Sequence, residues 1–569
     1  MLSFRDKNME SFRMRYGGEL PYSDPVLDDE IQNNKESYCT LIATGQARIR
    51  FEIPDVIRLC YVEGIGDGSF IRQLFEKLPA ETEYIVYEPA MSCFLYICDK
   101  YDISDIICNE KVFIVVGDID TLRNVSESKT TLTNMHTRGM VCTPGYRETY
   151  PEDCAQIEGI IRDFKDTWGF RAELQCRNEL YALAQLGKNY LAKDLFDNIP
   201  TRDIPIIIAA AGPSLKKNIS QLKGLHDRAI IVAVSHAAKT MEMAGIHPHF
   251  YAETDPALNN AFLKLEDTDN IRIIMKPSAA SDKQRSYCGR CFYFGFDGEA
   301  FFGFKNRVND KNYNCGGSVA TDVFDFFASS GYKKIILIGQ DLAYDDEGHS
   351  HVDQDINAHG YADGITEDIY GNPIKTRSDW MMFIRVYEKL IDLHPGVRVI
   401  DATEGGAKIR GTDIKTLKEC IAEYCSETYP VDEWLGGTLT VTEKYGENVG
   451  SDALKELYAD TQQVMKLVSE ANLWGERAIA AEDEGMETDW FRTVLGRYDQ
   501  CFQQILKDKK NALLCLYCGD VVKQFVSRYS QLDKSGNYID RRLKFEKDFL
   551  TKLLEQGAQM LAYMEELIG

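Results

Sequence analysis

The residues best placed to do chemistry stand at the ends of apolar runs. Gly212, Pro213, Ser214 and Leu215 follow the run IIIAAA and open KKNISQLKGL, whose apolar spacing predicts an amphipathic helix. An apolar strand, a glycine turn and a helix start aim backbone N–H groups and a positive dipole end at an anion, typically a phosphate. The turn is neither a Walker loop nor GxGxxG. Polar groups recur at equivalent places. Ser235 follows AIIVAV, Asp255 follows HFYAET, Gln340 and Asp341 follow KIILIG, and Glu404, Gly405 and Gly406 follow VRVIDAT. Ser318 reads as the N-cap of the helix in SVATDVF, and Gly316 and Gly317 before it allow close backbone approach. His349 and His351 sit on the loop DDEGHSHVDQD, where an imidazole near its free pKa suits general-base work. With Asp345, Asp346, Asp353 and Asp355 the two histidines also form a candidate cation site, although their spacing suits no single metal geometry closely.

The elements that must position these groups alternate. Six apolar strands, IRIIMK ending at Lys276 and Pro277 among them, are separated by helical stretches such as AKTMEMAG, over about residues 201–415. This alternation predicts a mostly parallel, doubly wound sheet, and ligands bind such sheets beyond the carboxyl ends of their strands. Upstream, IRLCYVEGIGDG, YIVYEP and VFIVVGD read as a second Rossmann-like unit. Its Glu88 lies 24 residues after Gly64, the arrangement that binds a ribose or, in methyltransferases, S-adenosylmethionine, but the turn carries only three of the usual glycines and many such units are structural. Residues 152–200 read as a helical connector ended by Pro200, and the chain after about Gly436 reads as amphipathic helices. The expected class is α/β. A Rossmann-like domain with its connector covers 1–200, a doubly wound Rossmann-like domain 201–435, and an α-helical bundle 436–569.

Composition narrows the function. With 65 Lys and Arg against 89 Asp and Glu, the 569-residue chain carries a net charge of −24, which disfavours nucleic acid and anionic membranes as partners. No run approaches the ~20 apolar residues of a membrane span, so no membrane insertion is expected. The first residues have no apolar core of a secretory signal, which predicts a cytoplasmic protein with its 16 cysteines as thiols. The pairs Cys288/Cys291 and Cys515/Cys518 read as buried thiols in preference to a shared zinc site.

AAAGPSL, GIHPHFYAETDP, GGSVATDVFDF, IGQDLAY with HSHVD after it, and TEGGAKIRGT occur in this order over roughly 205–412. Together they resemble the motility accessory factor (Maf) family of flagellin glycosyltransferases, whose central domain resembles bacterial sialyltransferases. The N-terminal unit and the helical C-terminus also fit that family's layout. The resemblance implies transfer of a nonulosonic acid, of pseudaminic or legionaminic type, from its CMP-activated form to Ser/Thr hydroxyls of flagellin. The CMP-sugar is then a substrate; no tightly bound cofactor is expected, and a metal requirement is left open.

The same resemblance implies site roles. Gly212, Pro213, Ser214 and Leu215 would form the nucleotide turn. Ser235, Asp255, Gly317, Ser318, Gln340, Gly405 and Gly406 would surround the donor. Asp341, His351 and Glu404 are the candidate bases, with His351 matching the family's loop histidine. Lys276 and Arg377 are candidate partners for the donor's phosphate or carboxylate. Two departures stand out: Ala211 replaces the Asn that precedes this glycine in sialyltransferases, and His249 stands where Asp is more usual in the family. Two alternatives remain, an ATP-dependent hydroxymethylpterin-type pyrophosphokinase, from a related and shorter GPSL-containing family, and a non-catalytic flagellin-binding factor.

Overall fold

The computed structural model describes the chain apart from residues 1–2, 17–19, 22–23, 46–56, 81, 130–137, 169–171, 258–270, 297–300, 311–312, 314–317, 346, 353–363, 484–488 and 530–536. The chain divides into two compact units. One gathers Met1–Glu173 with Leu457–Glu565, and the other is built on Leu174–Asp297 and Phe301–Glu456.

The first unit holds four parallel strands, β1 (Leu59–Glu63), β2 (Glu83–Glu88), β3 (Val112–Val116) and β4 (Arg138–Cys142), in the order β3-β2-β1-β4. β1 is buried along its whole length, as its run LCYVE requires once helices cover both faces of a parallel sheet. The chain steps from β1 outward to β3 and returns on the other side of β1, so the winding reverses between β1 and β4. The C-terminal helices of this unit pack around Phe502, Phe525 and Phe549, the last two rings 4.1 Å apart. Arg58, just before β1, donates to the carbonyl of Leu506, which ties those helices to the sheet's own unit.

The second unit is organised by nine parallel strands. They are β5 (Tyr190–Leu191), β6 (Ile206–Ala209), β7 (Ile230–Val234), β8 (Phe250–Glu253), β9 (Ile273–Met275), β10 (Cys291–Tyr293), β11 (Lys334–Ile338), β14 (Arg398–Asp401) and β15 (Asp413–Ile414). A separate antiparallel hairpin is formed by β12 (Gly364–Glu367) and β13 (Pro373–Thr376). The sheet order is β15-β14-β11-β6-β7-β8-β9-β10-β5. From β6 the chain winds one way to β10, then crosses to the other side of β6 as β11 and winds on to β14. This is the doubly wound pattern, with its switch point between β6 and β11.

Two stretches differ from the sequence reading. Within 152–200, helix Ala172–Gln185 belongs largely to the second unit, where Asn178 Nδ2 donates to the carbonyls of Pro256 (3.0 Å) and Ser278 (2.9 Å), and Tyr190–Leu191 adds the edge strand β5. The helix expected from Lys216 onward is one α-turn, Leu215–Asn218, continued as a 3-10 turn, Ile219–Leu222. Asn218 explains the break, since its side chain donates to Ala402 O (2.9 Å) and its own backbone leaves helical geometry.

Candidate functional site

The carboxyl ends of β6, β7, β8, β11 and β14 carry the polar residues singled out above, and the switch point brings several of them into contact. Ser214 Oγ donates to Asp341 Oδ2 at 2.7 Å, and the Ser214 N–H lies 3.3 Å from both carboxylate oxygens. Gly212 is required here by proximity: a Cβ at this position would stand 1.9 Å from Asp341 Oδ2. The Gly212 N–H donates to Gly339 O (2.7 Å), so the turns after β6 and β11 are laced by backbone as well as side chain.

The loop after β14 closes on the same carboxylate. A Cβ on Gly405 would lie 3.7 Å from Asp341 Oδ1 and 3.6 Å from Ser214 Cβ, and one on Gly406 would collide with the Asp341 backbone at 2.4 Å. Ala407 N donates to Asp341 O (2.7 Å). Two residues here, Leu342 (φ 46°) and Glu404 (φ 61°), hold left-handed backbone conformations that cost side-chain-bearing residues energy. Among the described residues the one other non-glycine case is Asn309. Local strain is therefore concentrated beside Asp341.

Asp341 is almost fully buried, and burial pushes its pKa up to about 6 against the opposing hydrogen bonds from Ser214. Lys217 lies one position into the next turn; its Nζ donates to Glu404 O (2.9 Å), and its charge favours the Asp341 carboxylate. The Glu404 side chain faces elsewhere, with Oε1 accepting from Leu417 N (3.1 Å) and lying 3.5 Å from Asn218 Nδ2. It anchors the loop, so its carboxylate is spent on structure.

His351 reaches the site through its neighbour, since Val352 N donates to Ala211 O (2.8 Å). Its Nδ1 lies 2.9 Å from Ser350 Oγ, and its ring centroid is 5.7 Å from that of His236. Burial, then the facing His236 and Arg377, lowers its pKa to about 4. His236 is likewise lowered to about 4, by burial and by Lys283, against Asp255. Both imidazoles are therefore neutral at pH 7. Arg377 is paired with Asp379 (2.6 Å) and lies over Trp380.

The remaining expected residues surround this core. Gln340 is buried; its side chain accepts from Tyr387 Oη (3.1 Å) and its N–H donates to Thr403 Oγ1 (3.4 Å). Leu215 is buried beneath the turn, Pro213 lies within it, and Ser235 opens the 3-10 turn after β7. Asp255 forms a local turn, accepting from Ala257 N (2.9 Å). Lys276 is buried at the end of β9, its N–H donating to Glu253 O. Ser318 stands at the N-cap of helix Val319–Ser329, and its side chain makes no capping bond. Gly317 lies outside the described residues, as do Gly316, Asp346, Asp353 and Asp355. His349 is drawn away, bonded to Asp345 (3.0 Å) and close to Glu347 (3.5 Å) in a partly exposed turn.

The residue at 249 lies at the amino end of β8, opposite the site. Its Nδ1 accepts from Ile231 N (2.9 Å), which leaves Nε2 to donate to His226 O (3.0 Å). Both ring nitrogens are committed to structure, and burial lowers its pKa to about 3. The carboxylate absent from position 249 is thus absent from a structural position.

Sequence reasoning passed over Lys217, His236, and the buried pair Lys283–Glu253 at the end of β8. Lys217 carries a signal, three residues after Ser214. His236 follows Ser235 directly. The Lys283–Glu253 pair spans 30 residues and has no local signature.

At Glu88 the structural reading is the one the contacts favour. Glu88 is fully buried, its Oε2 accepting from Ile65 N (3.0 Å) and Tyr146 Oη (2.8 Å), with its pKa pushed up to about 7 by burial. A carboxylate turned inward onto its own glycine turn does not face a ribose.

Comparison with known proteins agrees with this organisation. No curated protein sequence matches the chain. The family model described as 6-hydroxymethylpterin diphosphokinase MptE-like matches residues 177–347, the stretch from helix Ala172–Gln185 to the loop beyond Asp341. Among solved structures, a Maf glycosyltransferase from Magnetospirillum magneticum AMB-1 superposes with a TM-score of 0.54 at 12% identity, over 99% of this chain and 89% of that one. Across nearly its whole length, this chain has the fold of a Maf glycosyltransferase.

Proposed function

We propose that the chain is a glycosyltransferase that moves a nonulosonic acid, of pseudaminic or legionaminic type, from its CMP-activated donor to Ser/Thr hydroxyls of flagellin in the cytoplasm. The supporting observation is the convergence of Ser214, Asp341, Gly405, Lys217 and the His236–His351 pair on one switch point. In the transfer, the bond from the anomeric carbon to the CMP phosphate breaks, CMP departs, and the acceptor oxygen bonds to that carbon. Its proton goes to His351, which is unprotonated at neutral pH. Lys217 and Arg377 supply positive charge for the donor's phosphate and carboxylate. Asp341 already accepts from the turn's Ser214 N–H and hydroxyl, so an arriving phosphate pushes its pKa higher, toward the neutral acid that donates a hydrogen bond.

Calorimetric titration with CMP, then ATP, tests the reading. CMP binding that disappears in Gly212→Val supports it. ATP binding with no response to CMP favours the second reading, a hydroxymethylpterin-type pyrophosphokinase, which the match over 177–347 keeps in view. Flagellin binding with unchanged flagellin mass in the presence of donor favours a non-catalytic flagellin-binding factor.

A further inference from the structure

The winding of the first unit reverses between β1 and β4, and three acidic groups converge there. Glu63 closes β1, Cys142 closes β4, and Cys154 sits on helix Pro151–Trp168. Cys142 Sγ donates to Glu63 Oε2 at 3.2 Å, and the two sulfurs are 3.4 Å apart. One ligand atom from each residue lies within 4.8 Å of the others. Glu63 is fully buried, and its second oxygen, Oε1, has no hydrogen-bond partner.

We infer that Glu63, Cys142 and Cys154 form a site for a zinc ion, or another borderline-soft divalent cation, at the switch point of the first unit.

Geometry and chemistry both carry this. Tetrahedral zinc, with Zn–S of about 2.3 Å and Zn–O of about 2.1 Å, needs S···S and S···O edges of about 3.8 and 3.6 Å. The two separations made by Cys142, 3.4 Å to Cys154 Sγ and 3.2 Å to Glu63 Oε2, already stand within a few tenths of an ångström of those edges. As they stand, the cluster is poorly compensated. The cation that reaches them, Arg147, is 3.8 Å from Cys142 Sγ and engaged with Glu158 at 2.9 Å. A divalent ion replaces the two thiol protons, which pass to solvent, and gives the carboxylate a counter-charge. Two thiolates and one carboxylate suit zinc better than magnesium or calcium, which prefer oxygen alone. Cys142 is partly exposed, which leaves the fourth position open to water. The ion would fasten β4 and helix Pro151–Trp168 to β1.

The test uses the full chain, reduced and stripped by chelator, then titrated with Co2+ and in parallel with Zn2+. Expected are a thiolate-to-cobalt charge-transfer band saturating at one equivalent, its displacement by zinc, and its loss in Cys142→Ser and Cys154→Ser. Glu63→Gln should weaken binding while keeping the band. Because a serine variant can misfold, the wild-type chain is also alkylated with and without zinc and mapped by mass spectrometry. Protection of Cys142 and Cys154 together supports the site. Absence of both band and protection in a folded, reduced chain overturns it, as does a band that survives both serine variants. Recovery of the pair as a Cys142–Cys154 disulfide from a zinc-loaded sample also overturns it.

Discussion

At the carboxyl end of β1 the glycine turn meets a tyrosine, whereas at the end of β6 it meets a carboxylate. A Cβ on Gly64 (φ 85°) would press into the Tyr146 ring at 2.5 Å, and one on Gly212 would strike Asp341 Oδ2 at 1.9 Å. Both turns lie where a parallel sheet reverses its winding, the place where such folds bind ligands. The first is closed by Tyr146 and Glu88, which bond each other and each accept from one of the turn's own N–H groups. The second is flanked by Lys217 and two neutral imidazoles, and strained backbone at Leu342 and Glu404 holds it. Equal topology therefore carries unequal chemistry, and what differs is the residue arriving from the strand across the switch.

The comparison breaks most sharply at the glycines. Under the proposed function, Gly212→Val should abolish flagellin modification, read by mass spectrometry. Gly64→Ala should instead cost about 2–4 kcal/mol of stability, from its left-handed backbone and the Tyr146 clash. It should lower the melting temperature while transfer per folded molecule is kept. Equal loss of transfer in both variants would erase the distinction. The next effect belongs to His351, the base of the proposed transfer. His351→Ala should slow transfer by about 10²–10⁴-fold with little change in melting temperature. Glu404→Gln should be mild, because its carboxylate serves Leu417 N. The reverse ranking would move the base to Glu404.

Much of this was legible from apolar runs. β1, β2, β3, β6, β7, β8, β9, β11 and β14 fall on the largely apolar runs from which strands are predicted. β4 escaped because RGMVC carries an arginine and a glycine, and Arg138 is buried by its fold partners in spite of its charge. β5, β10 and β15 are two or three residues long, below what periodicity resolves. At the site, strand ends located Ser214, Gln340, Asp341 and Glu404, but not the direction of each side chain. Glu404 turning to Leu417 and Glu88 turning to Tyr146 depend on contacts 13 and 58 residues away. His236 became a neighbour of His351, and Lys283 of His236, only through the sheet order.

Asp341 sharpens the comparison through pH. Its pKa is raised from 3.8 to about 6, so its stabilising contribution is present below about pH 4 and lost as pH rises through 6. Above that the folded chain holds a buried carboxylate at a cost of up to about 3 kcal/mol. Asp341→Asn keeps an acceptor for Ser214, so it should raise the melting temperature at pH 7.5, leave it unchanged near pH 4, and lower transfer at both. A melting temperature that falls at pH 7.5 would mean that Lys217 and Ser214 more than compensate the charge.

The smallest effect tests the closed turn. Tyr146→Phe removes the hydroxyl that donates to Glu88 Oε2 and accepts from Gly66 N, while the Ile65 N–H bond to that oxygen stays. A buried acceptor losing its donor costs about 1–2 kcal/mol. The size should depend on pH in a definite direction. The Tyr146 hydrogen bond favours the charged carboxylate, so losing it pushes the Glu88 pKa above its present value of about 7. Below that pH Glu88 is protonated in both proteins, and the melting temperatures should differ little. Above it the variant must either carry a less compensated charge or hold a proton the solvent would take. The gap should therefore widen from pH 6 to pH 9, while flagellin transfer is unaffected at every pH. Should transfer fall with Tyr146→Phe in step with pH, the first turn would be a working site, and the division between the two switch points would fail.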